Sequence, residues 1–294
     1  MWTHQSVVED SGTIGGVTTP TFVITGASDG IGAAATRLLR AALPDVRLVV
    51  VGRNPTKTAR VAREVGAQHH AADFARLDEV RGLASELRQL ERIDVLANNA
   101  GGMFDGPIRT ADGHELTCQV NHLAPYLLTH LLLPPLLASR ASVVATSSVA
   151  AAVLSRFNPD DLETRRDFSP ARAYGNAKLG NILFTQELHR RYHEQGLSTV
   201  AFHPGAVATN FGSESSGMNH YGYQTAFSSL FTPAPDGGLN LAYYVAGTPG
   251  IHWESGEYYN DKRRPGMRKR AAKNPQIASR MFDDIADALG VTWG

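Results

Sequence analysis

A tyrosine and a lysine stand four positions apart in a helical pattern, and this pair is suited to proton chemistry. Tyr174 and Lys178 lie in the segment Ala171–Gln195, whose pattern predicts a helix, so their side chains share one face. A free tyrosine has a pKa of about 10, too high for it to take up a proton readily at neutral pH. A nearby ammonium group stabilises the phenolate and lowers that pKa. The pair is a candidate general acid/base, although the same spacing also arises by chance on helices.

A serine stands where a predicted strand ends. Ser148 follows the strand predicted over Ala141–Thr146. Ligands of a doubly wound sheet bind at the carboxyl edge of its strands. The hydroxyl of Ser148 is therefore a candidate to hold a substrate oxygen close to Tyr174.

A glycine-rich turn follows the first predicted strand. The strand Thr21–Thr25 runs into TGASDGIG (25–32) and then into a helical pattern, with glycines spaced Gly-x-x-x-Gly-x-Gly. Glycines at such a turn let the backbone approach a pyrophosphate, and the helix N-terminus adds free N–H groups and a positive dipole. The turn predicts a nucleotide site, against the alternative of a tight turn with only a structural role. Its candidate contacts are Gly26, Ser28, Asp29, Gly30, Ile31 and Gly32.

The end of the second predicted strand bears on the choice of cofactor. An NAD site commonly has an acid here for the ribose 2′-hydroxyl, whereas this strand, Val46–Gly52, is followed by Arg53. A guanidinium suits a 2′-phosphate, and Gly52 is expected to leave room for it. Asp29 would work against a phosphate. These residues favour NADP over NAD, with a surface arginine at a strand end as the alternative.

Short β-branched runs alternate with helical patterns along the chain. Several runs are almost continuously apolar, as in strands buried on both faces. Together they predict an α/β fold: a single-domain, doubly wound parallel sheet (Rossmann fold) of about seven strands, with helices on both faces. The strands are expected at Thr21–Thr25, Val46–Gly52, Ala67–Ala72, Ile93–Asn98, Ala141–Thr146, Leu197–His203 and Gly256–Tyr259. The helices are expected at Ile31–Ala42, Thr56–Val65, Leu77–Leu90, Gly113–Leu137 and Ala171–Gln195.

Charge and composition exclude several classes of protein. Basic and acidic residues number 28 each, a balance that favours neither nucleic acid nor an anionic membrane. The apolar stretch Leu123–Leu137 contains prolines and is too short to span a bilayer. Residues 1–19 read as a polar leader without signal-peptide character, and the domain is expected to cover residues 20–294. The single cysteine, Cys118, fits a cytoplasmic location. His189 and His193 lack an evident third ligand, so no metal is expected.

Six motifs in order resemble the short-chain dehydrogenase/reductase family over most of the chain. They are TGASDGIG (25–32), NNAG (98–101), the Asn of VNHLAP (120–125), VVATSS (143–148), YGNAK (174–178) and HPGAVAT (203–209). The resemblance implies hydride transfer between a nicotinamide cofactor and an alcohol or carbonyl carbon, and Arg53 favours NADP(H) as that cofactor. It implies Tyr174 as general acid/base, Ser148 as substrate positioner, and Lys178 as ribose ligand and modulator of the tyrosine pKa. It also implies Asn121 as part of a water relay to Lys178.

The resemblance assigns further cofactor contacts. Asp73 should meet the adenine, and Asn99 should lie near the adenosine ribose. Val207 and Thr209 should meet the nicotinamide end. The stretch AYGNAKLGNILFTQEL (173–188) is most similar to the retinol-dehydrogenase-like branch, which includes WW-domain oxidoreductase relatives. Two departures stand out: no membrane anchor precedes the first strand, and Gly175-Asn176-Ala177 replaces the Cys-His-Ser usual in that branch.

The segment 210–236 is long for a connection and rich in Ser, Gly and aromatic residues. We expect a substrate loop that acts as a lid over an apolar substrate, against side chains that only pack the segment onto the core.

The sequence leaves alternatives for the function, for the basic run 262–273 and for the oligomeric state. The protein is a hydride-transfer enzyme, an NADP(H)-binding regulatory protein without catalysis, or a sugar-nucleotide epimerase or dehydratase. The intact set of site residues argues against the second, and the glycine spacing against the third. The basic run 262–273 is either a solvated surface or a contact for a phosphorylated partner or another subunit. The sequence leaves assembly into a homo-oligomer undecided.

Overall fold

The computed structural model describes residues 19–205 and 234–294. Within them strands and helices alternate as the sequence predicts. The seven strands are β1 Thr21–Thr25, β2 Arg47–Gly52, β3 Gln68–Ala71, β4 Val95–Asn98, β5 Ser142–Thr146, β6 Ser198–Phe202 and β7 Glu257–Tyr259. The helices are α1 Gly30–Ala42, α2 Pro55–Val65, α3 Leu77–Leu87, α4 Leu116–Cys118, α5 Ala124–Leu131, α6 Leu133–Ala138, α7 Ala150–Val153, α8 Pro170–Tyr192, α9 Ala234–Ala246 and α10 Pro275–Leu289. A π-helical turn covers Gln119–Leu123 and a 3₁₀ turn Arg270–Lys273.

The strands form one parallel sheet in the order β3-β2-β1-β4-β5-β6-β7. β1 pairs with β2 on one side and with β4 on the other. In this register Val23 lies beside Val49 of β2 and Leu96 of β4. The chain order reverses between β1 and β4. Such a reversal opens a crevice at the carboxyl edge of a parallel sheet, where nucleotides bind. The predicted Rossmann-type α/β fold is therefore confirmed, and every predicted strand is present within two residues of its bounds.

Helices cover both faces of the sheet, because parallel strands are linked by crossovers whose helices pack on the sheet faces. One buried cluster packs α3, α5, α8 and α10 against the sheet and includes Tyr126, Leu183 and Phe282. The other packs α1, α2 and α9 against the opposite face, with Leu39 and Tyr244 at its centre. Two apolar layers thus hold the central strands rigid on both sides.

The predicted single helix Gly113–Leu137 is wrong as a continuous element. Gly113 has φ +85° in a turn, and regular helix begins only at Leu116. Leu132 has φ −96° and ψ 2°, which ends α5 before the two prolines at positions 134 and 135 open α6. A proline inside a helix lacks the N–H for the ladder and collides with the preceding turn, so the apolar pattern continues but the helix does not.

Three helices escape the sequence prediction: α7, α9 and α10. The last carries readable signals. The side chain of Asn274 accepts from Gln276 N at the N-terminus, Pro275 occupies the first turn, and Gly290 ends the helix at φ +62°. This N-terminal proline and C-terminal glycine asymmetry is typical of helix boundaries.

Candidate functional site

Three strands deliver candidate residues to the same edge of the sheet. The glycine turn follows β1, Asn99 follows β4 and Ser148 follows β5, so all lie at the carboxyl ends beside the crevice. Helix α8 crosses this edge with Tyr174 and Lys178. Ser148, Tyr174 and Lys178, with Asn121 beside them, are called the Tyr174 cluster below.

Ser148 and Tyr174 are joined directly. Their side chains are hydrogen-bonded, and both residues are only partly buried. Burial of its hydroxyl raises the pKa of Tyr174 further above its ordinary value, and the Ser148 hydrogen bond opposes this. Ser147, in contrast, is buried and donates to the main-chain oxygen of Lys178 at 2.7 Å. Of the two adjacent serines, Ser148 is therefore the one that is joined to Tyr174.

Lys178 is held inside the protein. It is 2% exposed, its Nζ lies 5.6 Å from the Tyr174 ring centroid, and it donates to the carbonyl of Thr146 at 3.2 Å. Burial lowers the pKa of Lys178 to about 7. An ammonium so placed favours a phenolate on Tyr174, and it retains donors for hydroxyl groups in the crevice.

Asn121 lies in the π-helical turn, a feature frequent at functional sites. Its side chain accepts from Gly102 N at 3.1 Å and donates to the carbonyls of Gly102 and Thr117 at 2.6 and 2.8 Å. A Cβ added at Gly101 would lie 2.4 Å from Asn121 Oδ1 and 3.0 Å from Lys178 Nζ. Asn121 and Lys178 thus lie on either side of the space next to Gly101. The Asn121 amide forms its hydrogen bonds with main-chain groups of Gly102 and Thr117.

The glycine turn forms a cradle that side chains would fill. Gly26 adopts φ +66°, a left-handed conformation that disfavours other residues. Asn99 Nδ2 donates to the carbonyl of Thr25 at 3.0 Å, and Asn99 Oδ1 accepts from the Thr146 hydroxyl at 3.1 Å. Asn99 therefore braces the turn against β5. With the N-terminus of α1 directly behind it, the turn fits a pyrophosphate.

Gly32 offers a direct test of this cradle. A Cβ there would lie 2.3 Å from the carbonyl oxygen of Gly26 and 2.8 Å from Ala27 Cα, both of them backbone atoms. Because the turn must shift to admit the methyl group, we expect Gly32→Ala to weaken NADPH binding about tenfold or more. Fluorescence titration measures this. Gly82→Ala is the control, since nothing lies within 4 Å of the added atom and the site is an exposed helix position. Equal affinity of both variants would contradict the cradle.

The adenosine end differs from the sequence expectation at Gly52. A Cβ there would lie 2.6 Å from the Thr58 hydroxyl and 2.7 Å from Ser28 Cβ. The space that a side chain at Gly52 would take is therefore filled by the glycine turn, which packs on β2. The prediction that Gly52 leaves this space open for a phosphate is wrong. Arg53 follows at the exposed strand end.

Asp29 is less of an obstacle to a phosphate than its charge suggests. Its side chain accepts from Gly30 N at 2.8 Å, capping α1, and pairs with Lys57 Nζ at 3.1 Å. The Gly30 N–H and then Lys57 lower the pKa of Asp29. Lys57 belongs to the first turn of α2, which also begins beside Arg53. Sequence reasoning missed Lys57, because only the fold brings it to the glycine turn.

The remaining candidates divide into two groups. Asp73 follows β3 at the same edge, where its carboxylate accepts from Ala75 N at 3.0 Å and so shapes its own loop. Val207, Thr209 and most of the predicted lid 210–236 lie outside the described residues, and their roles stay predictions.

Two further residues support the cluster without a signal in the sequence. Asn176 is buried inside the Tyr-Lys spacing, where its Oδ1 accepts from Arg156 N at 2.8 Å and its Nδ2 donates to the Thr164 hydroxyl at 2.8 Å. It ties the loop after Ser148 to α8. Tyr258, 1% exposed in β7, donates to the main-chain oxygen of Ser148 at 3.4 Å.

The basic run is not a uniformly solvated surface. Lys262, Arg263 and Arg264 are exposed, but Lys269 Nζ donates to the main-chain oxygen of Ser155 and Arg268 pairs with Glu257 at 3.4 Å. Its second half therefore anchors the C-terminal segment near the loop that follows Ser148.

The described ranges contain neither a membrane-spanning helix nor a cluster of metal-ligand side chains. No helix within residues 19–205 or 234–294 has both the length and the apolar character for crossing a bilayer. The same ranges contain no group of three or more His, Cys, Asp or Glu side chains arranged to hold a metal ion.

Comparison with known proteins agrees with this geometry. The family model for short chain dehydrogenase matches residues 20–219. A relative from Streptomyces sp. (strain C5), "Putative daunorubicin C-13 ketoreductase DnrU", is 38% identical over 286 residues, 95% of each chain. Human retinol dehydrogenase 11 is 34% identical over 277 residues, 92% of this chain and 85% of that one. The crystal structure of an uncharacterized protein from Mycobacterium paratuberculosis matches with a TM-score of 0.74 at 29% identity, over 93% of this chain and 94% of that chain.

Proposed function

This chain belongs to the short-chain dehydrogenase family, in its retinol-dehydrogenase-like branch, and we propose that it is an NADP(H)-dependent oxidoreductase with Tyr174 as its general acid/base. Membership makes the protein an NAD(P)-dependent dehydrogenase or reductase that acts on a small molecule. The proposal adds the acid/base, the cofactor preference and the kind of substrate. The direct hydrogen bond between Ser148 and Tyr174 above the buried Lys178 is the observation that carries it.

The cluster divides the proton chemistry among its members. In carbonyl reduction, Ser148 holds the substrate oxygen and Tyr174, protonated at neutral pH, donates its proton to that oxygen as the alcohol forms. In alcohol oxidation the proton returns to Tyr174, which must then be a phenolate, and the Lys178 ammonium stabilises that anion. When bound, the nicotinamide supplies or accepts the hydride. Asn121 would link Lys178 to a water relay through the second lone pair of its Oδ1, because Gly102 N fills only one of them.

The residues of the glycine turn and of the end of β2 support NADP as the cofactor. Gly26, Gly30 and Gly32 would hold the pyrophosphate against α1, and Lys178 would hold the nicotinamide ribose. Arg53 would take the 2′-phosphate. Lys57 strengthens the case, because its ion pair compensates the carboxylate that would otherwise repel this phosphate.

An apolar alcohol or carbonyl compound fits the substrate side. Val149 and Val153, on the helical segment directly after Ser148, are 38% and 57% exposed. Apolar side chains left open beside a polar centre are typical of substrate pockets. The two relatives are named as a ketoreductase and a retinol dehydrogenase, which supports a carbonyl or alcohol substrate here.

A screen of NADPH consumption against a carbonyl panel tests the proposal. We expect turnover that rises with the apolar surface of the substrate and that is much weaker with NADH. An NADP(H)-binding regulatory protein would bind the cofactor without turnover on any substrate. An epimerase would retain oxidised cofactor and give no net consumption. Either outcome contradicts the proposal.

Three other expectations remain predictions of the same proposal. They are a single domain over residues 20–294, a lid formed by 210–236, and a cytoplasmic location.

A further inference from the structure

A second buried network reaches Lys178 through the main chain at the end of β5. Asn181 is one helical turn after Lys178, so both side chains point to the end of β5. Asn181 Nδ2 and Lys178 Nζ each donate to the same acceptor, the carbonyl of Thr146, at 3.2 Å. A carbonyl oxygen has two lone pairs, and these two donors fill both.

His122 completes this network from the π-helical turn. Its Nδ1 lies 2.8 Å from Asn181 Oδ1, and both residues are 4% exposed. Because the Thr146 carbonyl can only accept, the atom of Asn181 that faces it must be Nδ2. The oxygen of Asn181 then faces His122, so His122 Nδ1 must carry the proton. The opposite ring nitrogen, Nε2, is buried without a hydrogen-bond partner among the described residues.

We propose that His122 and Asn181 are positioning residues that fix the direction of the Lys178 ammonium through the shared Thr146 carbonyl. The inference rests on the proposed function, since it concerns how Lys178 serves Tyr174. Without the proton on His122 Nδ1, the Asn181 amide has no fixed orientation. The Thr146 carbonyl itself is held by the sheet, since Ser147 N, in the same peptide unit, donates to Phe202 O at 2.7 Å. Loss of the Asn181 donor leaves one lone pair of that carbonyl unfilled. Nζ is then free to shift on the oxygen, so its direction beside the Tyr174 ring is no longer fixed.

Few other charges act on this lysine. In the described part of the chain, the titratable groups that face Lys178 are Tyr174 on its own helix and His122 on the π-helical turn. Burial, and next Lys178 itself, lowers the pKa of His122 to about 4, against the Asn181 hydrogen bond. His122 is thus neutral at working pH and acts through its hydrogen bond.

Paired variants separate this role from simple packing. His122→Leu and Asn181→Leu remove the network, whereas His122→Asn places an amide N–H near the position of Nδ1. We expect both Leu variants to lower kcat for alcohol oxidation about fivefold and to move the acid limb of its pH profile up by about one unit, because the phenolate is less well stabilised. NADPH affinity should fall several-fold. In His122→Asn, the acid limb of the pH profile for alcohol oxidation should stay at its wild-type position.

Thr185→Val is the matched control on the same helix. Thr185 is 2% exposed and donates to the main-chain oxygen of Asn181 at 2.9 Å, without touching the shared carbonyl. It should lower Tm and leave the pH limb and NADPH affinity unchanged. If the Leu variants behave like this control, the network is only structural and the inference fails.

A measurement on the unaltered protein keeps the inference testable if the Leu variants do not fold. In ¹⁵N-labelled protein, the His122 signals, assigned with His122→Asn, should show a protonated Nδ1 and an unprotonated Nε2. The reverse tautomer overturns the inference. Failure of the proposed function is distinct: the wild type would then show no turnover, or Tyr174→Phe would match it, whatever the tautomer of His122.

Discussion

Tyr174→Phe should reduce turnover by about a hundredfold or more in both directions, the usual scale for loss of a general acid or base. The change removes only the hydroxyl, which bonds Ser148 and would carry the substrate proton. The phenyl ring keeps its place on α8 beside Lys178, so NADPH binding should stay within about twofold of the wild type. Stopped-flow and steady-state assays with the best substrate of the carbonyl panel measure the first effect, and fluorescence titration the second.

Tyr192→Phe is the control for this variant. Tyr192 lies on the same helix, is 3% exposed, and donates to the main-chain oxygen of Gly294 at 2.9 Å. It should lose some stability and keep its kcat. A Tyr174→Phe enzyme that turns over as fast as Tyr192→Phe would remove Tyr174 from the proton chemistry.

Arg53→Ala should raise KM for NADPH by about ten- to a hundredfold and change KM for NADH little. A guanidinium forms charge-assisted, often bidentate bonds with a phosphate, each contributing about 1.5–3 kcal/mol. NADH lacks that phosphate. The KM values for NADPH and NADH give the preference of the enzyme for NADPH. Their change between low and high salt shows how much of that preference is electrostatic.

Arg47→Ala serves as the comparison for Arg53→Ala. Arg47 is an exposed arginine at the opposite end of the same strand, so its loss changes the net charge equally but far from the crevice. Lys57→Ala should also weaken NADPH, because it removes a cation and leaves the Asp29 carboxylate uncompensated. Equal loss of NADPH and NADH in Arg53→Ala would show that Arg53 does not bind the 2′-phosphate.

Local sequence patterns were sufficient to predict the strands of the sheet. Runs such as Val49–Val51 are apolar at every position, as in strands covered on both faces, and all three valines are buried. The break in the predicted helix 113–137 shows the limit of such patterns. Apolar periodicity reports which side faces the core, while prolines and a positive-φ glycine decide where the backbone stays helical.

The sequence by itself determined the residues whose spacing is local. Tyr174 and Lys178 share a face because a helix repeats every 3.6 residues, and the glycine turn is defined within eight positions. What supports them depends on the tertiary structure. Asp29 meets Lys57 across 28 positions, and His122 meets Asn181 across 59. No local period relates such partners, because each distance depends on how crossovers stack helices on the sheet. The burial that lowers the pKa of Lys178 has the same origin, since it arises only when the strands and α8 close around that side chain.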